Sequence, residues 1–230
     1  MRLARMNSQV GTHLLVLPCF WGIMLGTPGF VPSVTTMALF SAGALGTRSA
    51  GCIINDFADR DIDKHVDRTK ARPLTTGEIT PTQAGVFLSG LMAMNFGILF
   101  QLPPQSIALG FAVTPLVFAY PYAKRTFKYP QVVLGTTFSS GIMIGYAASA
   151  MGHAVNWQVC LPYYAGAIMW TTYYDTIYAM QDREFDKKLG LNSTAILVEN
   201  YPKLALAALS AGTVGMFAVG GAAAGLGMYY

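Results

Sequence analysis

The sequence predicts an all-α fold: a polytopic bundle of transmembrane helices around a central cavity. Three observations carry that prediction. Of 230 residues, 53% are apolar and only 11% charged, whereas a soluble domain carries about a quarter charged residues. The mean hydropathy is +0.42. The apolar residues gather into seven segments near the length of about 20 that crosses a hydrocarbon core. The charges alternate between the connections. This composition excludes a water-soluble enzyme, a disordered tail and a nucleic-acid reader, and makes the lipid bilayer the chain's principal partner.

The seven expected spans cover residues 13–29, 34–54, 84–101, 106–123, 131–152, 158–180 and 204–230, within one membrane-embedded domain over residues 1–230. Five of them lack Lys, Arg, Asp and Glu; the second holds Arg48 and the sixth Asp175. Stretches such as SAGALGTRSAGC and VGGAAAGLG supply the small residues that let helix backbones approach closely in lipid. A soluble helical core fits poorly, because so many uncharged segments leave almost no solvated face.

Positive charges set the orientation. Apart from Arg48, every basic residue lies in the N-terminal tail or in the stretches 55–83, 124–130 and 181–203. The alternate connections FVPS, LPPQ and HAVNW have none. An inside-positive topology with the N-terminus inside follows. The opening MRLARMNSQVG is too short for a transit peptide and runs directly into the first span. Three cysteines without a CxxC pair indicate neither a disulfide framework nor a zinc site.

Acidic residues follow the same partition, which topology does not require. One cluster reads NDFADRDIDKHVDRTKARPLTTG. Its Asn55, Asp59, Asp63 and Asp67 recur at i+4 and share one face of a helix continued from the second span. Like charges stacked in this way need cations. Oxygen donors without His or Cys suit Mg²⁺, which takes one or two carboxylates and completes its shell with water and phosphate. The second cluster, YYDTIYAMQDREFDKKLGLNSTA, places Asp175, Tyr178, Asp182 and Asp186 on one helical face. Asp175 lies within an expected span, where ionisable residues are costly and functional.

Two such clusters on one side of the membrane can grip one polyanion through bridging metal ions. Arg60, Arg68, Arg72, Lys124 and Arg125 balance the charge. A diphosphate held at the rim of a lipid-embedded bundle belongs to an amphiphilic substrate. Metal ions stabilise charge on the departing diphosphate, and the apolar spans keep the allylic cation from water. Prenyl transfer is the reaction class that this chemistry suggests. A transporter is the non-enzymatic alternative, although transporters set such residues near the midplane and these lie at the inside ends.

The first cluster resembles the NDxxDxxxD signature of UbiA-type intramembrane prenyltransferases, and the second their DxxYxxxDxxxD signature. GTHLLVLPCFWGI, RSAGCIINDFADRDID, YPYAKRTFKYPQVVLG and CLPYYAGAIMWTTYYDTIYA extend the likeness over residues 2–200. The 4-hydroxybenzoate polyprenyltransferase subgroup is the most similar. The resemblance implies nine helices around a cavity, so that seven would mark a chain lacking the last two. It implies Mg²⁺ as cofactor, polyprenyl diphosphate as donor and 4-hydroxybenzoate as acceptor, prenylated ortho to its hydroxyl in ubiquinone biosynthesis. Homogentisate, a naphthoate or haem is the alternative acceptor.

On that resemblance, Asn55, Asp59, Asp63, Asp182 and Asp186 are metal-associated, and Asp175 and Tyr178 line the reacting site. Arg68, Lys124 and Arg125 are assigned to the diphosphate. Arg5 is assigned to the acceptor's carboxylate, with Arg48 and Arg72 as further substrate-binding candidates. Asp56 turns about 100° away from Asn55 on the helix, which suggests a structural role. The expected location is the mitochondrial inner membrane with the active face toward the matrix, or alternatively a bacterial plasma membrane with that face toward the cytoplasm. Association with other ubiquinone-biosynthesis proteins is a further expectation. Asn7, Ser8 and Gln9 stand where the family has Asp-Lys-Pro, and Ser139 and Ser140 where the subgroup has Asn-Trp. Both departures bear on acceptor preference.

Overall fold

A computed structural model describes residues 2–64, 66 and 69–227. The described chain is helical throughout its regular structure. Its long rods are α1 (Val10–Gly26), α2 (Val34–Ala58), α5 (Pro81–Leu99), α6 (Pro104–Thr126), α9 (Trp157–Ala179) and α12 (Pro202–Ala223), with α7 (Pro130–Ser139) and α8 (Gly141–Ser149) forming another in tandem. Short helices α3 (Arg60–Asp63), α4 (Pro73–Thr76), α10 (Arg183–Lys188) and α11 (Thr194–Leu197) lie in the two charged connections.

Local chemistry starts these helices. Pro occupies the first turn of α4, α5, α6, α7 and α12, where its missing N–H costs nothing and its fixed φ suits the helix. Thr80 and Gln83 close a capping box on α5. Ser33 and Asn156 accept backbone N–H groups at the starts of α2 and α9.

Five rods meet both the length and the hydropathy needed to cross a membrane: α2, α5, α6, the α7–α8 pair and α12. Helix α1 is shorter, at 17 residues. Helix α9 has 23 residues but mixes Asp175 with Thr and Tyr, and it is not among the five. The expected span 131–152 is two helices rather than one. They part where the Ser140 hydroxyl donates to the Thr137 carbonyl at 2.6 Å and Gly141 follows, a competition for backbone groups that weakens a helix.

Helices α5 and α12 bury few residues despite their apolar sequence; Val86, Phe87, Met94, Leu204, Val214 and Val219 point outward. Such faces suit lipid tails. Inside, α1 packs along α8, α7 along α9, α9 along α12, and α2 along α5. The α1–α8 contact depends on glycine. A Cβ on Gly22 or Gly145 would run into the backbone of the facing helix at Ile142 or Cys19, so the two backbones touch directly.

Candidate active site

Helices α2 and α9 deliver the two acidic clusters to the same end of the bundle. The expected unbroken helix through the first cluster is corrected: α2 ends at Ala58 and Asp59 leaves helical geometry, with φ −99° and ψ 8°. The pitch nonetheless persists, because Asp59 N–H donates to the Asn55 carbonyl at 2.9 Å and Asp63 N–H to the Asp59 carbonyl at 2.8 Å. Asp182 is likewise a joint between α9 and α10, and Asp186 N–H returns to its carbonyl at 2.9 Å. Each cluster therefore keeps its i+4 hydrogen-bond spacing across a joint between two helices.

One cleft of about 60 Å³ gathers Asn55, Asp59 and Asp63 from the first cluster with Asp182 and Asp186 from the second. Arg72 and Lys124 line it too, among the apolar side chains of Ile62, Val66, Phe185, Leu189 and Leu191. Charged oxygens thus meet two cations at a partly apolar mouth.

Arg72 organises the first half. Its Nη1 lies 2.5 Å from Asp63 Oδ2 and 3.1 Å from Asp56 Oδ1. Burial pushes the Asp63 carboxyl above the usual aspartate range, and Arg72 and the Thr69 hydroxyl pull against that rise. Asn55 Nδ2 donates to Asp59 Oδ2 at 3.2 Å. Arg125 stands beside the cleft rather than in its lining: it caps α2 by donating to the Ala58 carbonyl at 2.6 Å, and lies 3.4 Å from Asp59 Oδ1.

Arg5 is not in the cleft lining. Its guanidinium pairs with Asp56, which is 2% exposed, giving Asp56 the structural role its helical position suggests. Arg48 lies deeper, with Nη1 2.6 Å from Cys52 Sγ. Asp175 stands within the field of Lys124 and Arg48. Tyr120 feels Asp175 and Arg48, and Tyr174 feels the same two. Asp175, Tyr120 and Tyr174 thus lie within electrostatic reach of Arg48, and none of the four lines the cleft. Tyr178 is half-exposed, close enough to Arg5 to act on its charge, and is outside the cleft lining. Arg68 and Asp67 fall outside the described residues.

Sequence patterns did not single out Tyr120, Tyr174, Thr69 or Gln131. Tyr120, Tyr174 and Gln131 belong to apolar helices, and Thr69 lies in the first charged connection but outside its acidic repeat. Their proximity to the ionic residues arises only on folding.

The donor set fits Mg²⁺ in kind, being oxygen alone. Among the described residues no three His, Cys, Asp or Glu side chains gather into a protein-only cage.

The model of the UbiA prenyltransferase family matches residues 15–230. The chain belongs to that family. It is 44% identical over its full length to the mitochondrial 4-hydroxybenzoate polyprenyltransferase of Arabidopsis thaliana, covering 56% of that protein. The mitochondrial enzyme of the same name from Rattus norvegicus is 42% identical over the whole chain, which covers 61% of it. That of Saccharomyces cerevisiae is 40% identical over 97% of the chain, which covers 60% of it. The chain thus spans about three fifths of the length of these curated relatives.

Among solved structures, the apo form of a UbiA homologue from Aeropyrum pernix superposes with a TM-score of 0.79 at 31% identity, over 93% of this chain and 80% of that one. A UbiA homologue from Archaeoglobus fulgidus, bound to GPP and Mg²⁺, has the same fold at a TM-score of 0.68 and 22% identity, over 95% of this chain and 76% of that one. The UbiA fold accounts for the meeting of the two acidic clusters: α2 and α9 bring both to one end of the bundle.

Proposed function

We propose that this UbiA-family chain transfers a polyprenyl group from polyprenyl diphosphate to the ring carbon of 4-hydroxybenzoate ortho to its hydroxyl, in ubiquinone biosynthesis at the mitochondrial inner membrane. The observation that carries the reading is the single cleft lined by Asn55, Asp59, Asp63, Asp182 and Asp186. The names of the relatives support the acceptor, and the mitochondrial part of those names supports the compartment.

In this reading Asn55, Asp59, Asp63, Asp182 and Asp186 would hold Mg²⁺. Bound Mg²⁺ supplies Lewis-acid stabilisation of the charge that grows on the leaving oxygen. Lys124 and Arg72, in the cleft wall, add fixed positive charge to the same group. Arg125 fixes Asp59 from outside the lining, and Arg68 is assigned to the diphosphate on the family motif.

The allylic carbon–oxygen bond breaks with its electron pair leaving on the diphosphate. The phenol's ring carbon then donates a pair to the allylic cation, and the ring regains aromaticity by losing the proton at that carbon. Arg48, outside the cleft lining, is the residue we assign to the acceptor's carboxylate, with Arg5, paired with Asp56, as the alternative. Asp175 is set to orient the acceptor's hydroxyl, with Tyr178 at the outer edge. The apolar helices exclude water from the cation.

The test is turnover. Purified protein in detergent, supplied with Mg²⁺, a polyprenyl diphosphate and 4-hydroxybenzoate, yields prenylated acid, and EDTA abolishes the product. Prenylation of another aromatic acid in preference to 4-hydroxybenzoate would overturn the acceptor assignment; product formation that survives EDTA would overturn the metal assignment.

A further inference from the structure

Gln131, at the start of α7, is 3% exposed, and its amide faces a stretch more than sixty positions away in the chain. Its Oε1 accepts the Thr194 N–H at 2.9 Å, and its Nε2 donates to the Ser193 hydroxyl at 3.3 Å. Ser193 Oγ also accepts the Ala195 N–H at 3.2 Å and so caps α11. Behind them, the Thr194 and Thr176 hydroxyls lie 2.6 Å apart, and the Thr176 hydroxyl contacts the Thr172 carbonyl at 2.6 Å. Ser193, Thr194 and Thr176 are all buried. The network ties α7, α9 and α11 together without a single charge.

Its position gives it a consequence for the cleft. The connection that ends at Ser193 is the one that carries Asp182, Asp186, Leu189 and Leu191 into the cleft wall. Two further backbone bonds join it there: Leu191 N–H to the Asp186 carbonyl at 2.9 Å, and Asn192 N–H to the Lys124 carbonyl at 2.8 Å. Asp186 and Lys124, from different elements, are thereby tied to Leu191 and Asn192, which directly precede the Ser193 and Thr194 that Gln131 anchors. Buried polar groups bonded on all sides fix one arrangement, whereas a buried N–H left unpaired is expelled toward water.

We propose that Gln131, with Thr194 and Thr176, is a latch that positions the second acidic cluster and Lys124 against the first, and so sets the affinity of the cleft for a metal-bound prenyl diphosphate. The inference rests on the prenyl-diphosphate reading of that cleft. Gln131 and Thr194 are positioning residues; neither lines the cleft. Loosening the latch separates the two clusters while leaving each cluster's own side chains intact.

The experiment measures Mg²⁺-dependent binding of geranyl diphosphate to the full chain in detergent by calorimetry, with hydrogen exchange over residues 182–194 as a readout of the connection. Gln131→Met removes both amide bonds at similar volume. Thr194→Val removes one hydroxyl at constant shape, and Thr194→Ser keeps the hydroxyl. The expected result is binding about tenfold weaker, equal to about 1.4 kcal/mol, in Gln131→Met and Thr194→Val. Partial recovery at high Mg²⁺, faster exchange over the connection and near-normal binding in Thr194→Ser are expected with it.

A merely structural role would lower the amount of folded protein without moving the affinity or the Mg²⁺ dependence of what remains. Unchanged affinity in folded Gln131→Met or folded Thr194→Val overturns the latch. Should Gln131→Met fail to fold, the Thr194→Val and Thr194→Ser pair decides alone. Asp59→Ala separates the two levels of the argument: if it binds as the parent does, the prenyl-diphosphate reading falls and the latch with it.

Discussion

The Arg5 guanidinium donates from Nη2 to Asp56 Oδ1 at 2.7 Å, across 51 positions of sequence. Asp56 is 2% exposed and also lies 3.1 Å from Arg72 Nη1. The N-terminal segment, α2 and the connection after α3 are therefore joined at one buried carboxylate. Removing a buried charge from such a set leaves its partners uncompensated, at about 3–5 kcal/mol. Asp56→Ala is expected to lower stability by about that amount, read as a fall in the thermal midpoint in detergent. An unchanged midpoint would mean that the pairing contributes nothing.

Gly145→Ala tests the α1–α8 contact. The added methyl meets the Cys19 carbonyl oxygen and the Ile23 backbone, which cannot give way as a flexible side chain would. Overpacking of this kind costs about 1–3 kcal/mol. The expected outcome is a lower thermal midpoint, whereas Gly85→Ala, with open space around its position, leaves the midpoint nearly unchanged.

The Lys187–Glu199 pair gives a pH signature. Lys187 Nζ donates to Glu199 Oε1 at 2.6 Å, and that hydrogen bond holds the Glu199 carboxyl below the usual glutamate range. A depressed folded value means that the unfolded chain binds the proton first on acidification. The contribution to stability is thus present above the ordinary value of about 4.3 and is lost as the pH falls through the folded value. Lys187→Ala is expected to lower the thermal midpoint slightly at neutral pH, as an exposed pair should, and the difference from the parent closes in acid.

Arg48→Met separates acceptor from donor. With Arg48 inside the bundle and outside the cleft lining, the substitution is expected to raise the KM for 4-hydroxybenzoate by about tenfold or more, the cost of about one charged hydrogen bond. Mg²⁺-dependent prenyl-diphosphate binding is expected to stay within about twofold of the parent. Steady-state kinetics with each substrate varied in turn distinguishes the two effects; a donor defect would reassign Arg48.

The helical bundle and the acidic clusters were legible because they rest on periodicity. A span announces itself by length and hydropathy, and Asn55, Asp59 and Asp63 by a repeat that survives the break at Asp59. What periodicity does not encode is how a face ends or whom it meets. The α7–α8 break falls at Ser140, whose hydroxyl turns back to the Thr137 carbonyl, inside an otherwise unbroken apolar run. The pairing of Arg5 with Asp56 depends on bringing together residues from the tail and α2, and a basic residue in a tail carries no local sign of its partner. Gln131 is the same case: a single amide in the first turn of an apolar helix gives no hint that it satisfies a buried N–H at Thr194. Two acidic signatures read separately point to metal chemistry, but only folding, which brings α2 and α9 to the same end of the bundle, gathers them in one cleft.

The central claim is that both clusters hold one headgroup. Calorimetric titration of the full chain with geranyl diphosphate, with and without Mg²⁺, tests it most directly when run on Asp59→Ala and Asp182→Ala side by side. Each substitution alone is expected to abolish most of the Mg²⁺-dependent binding. Undiminished binding in either variant, with the other cluster holding the ligand by itself, would contradict it.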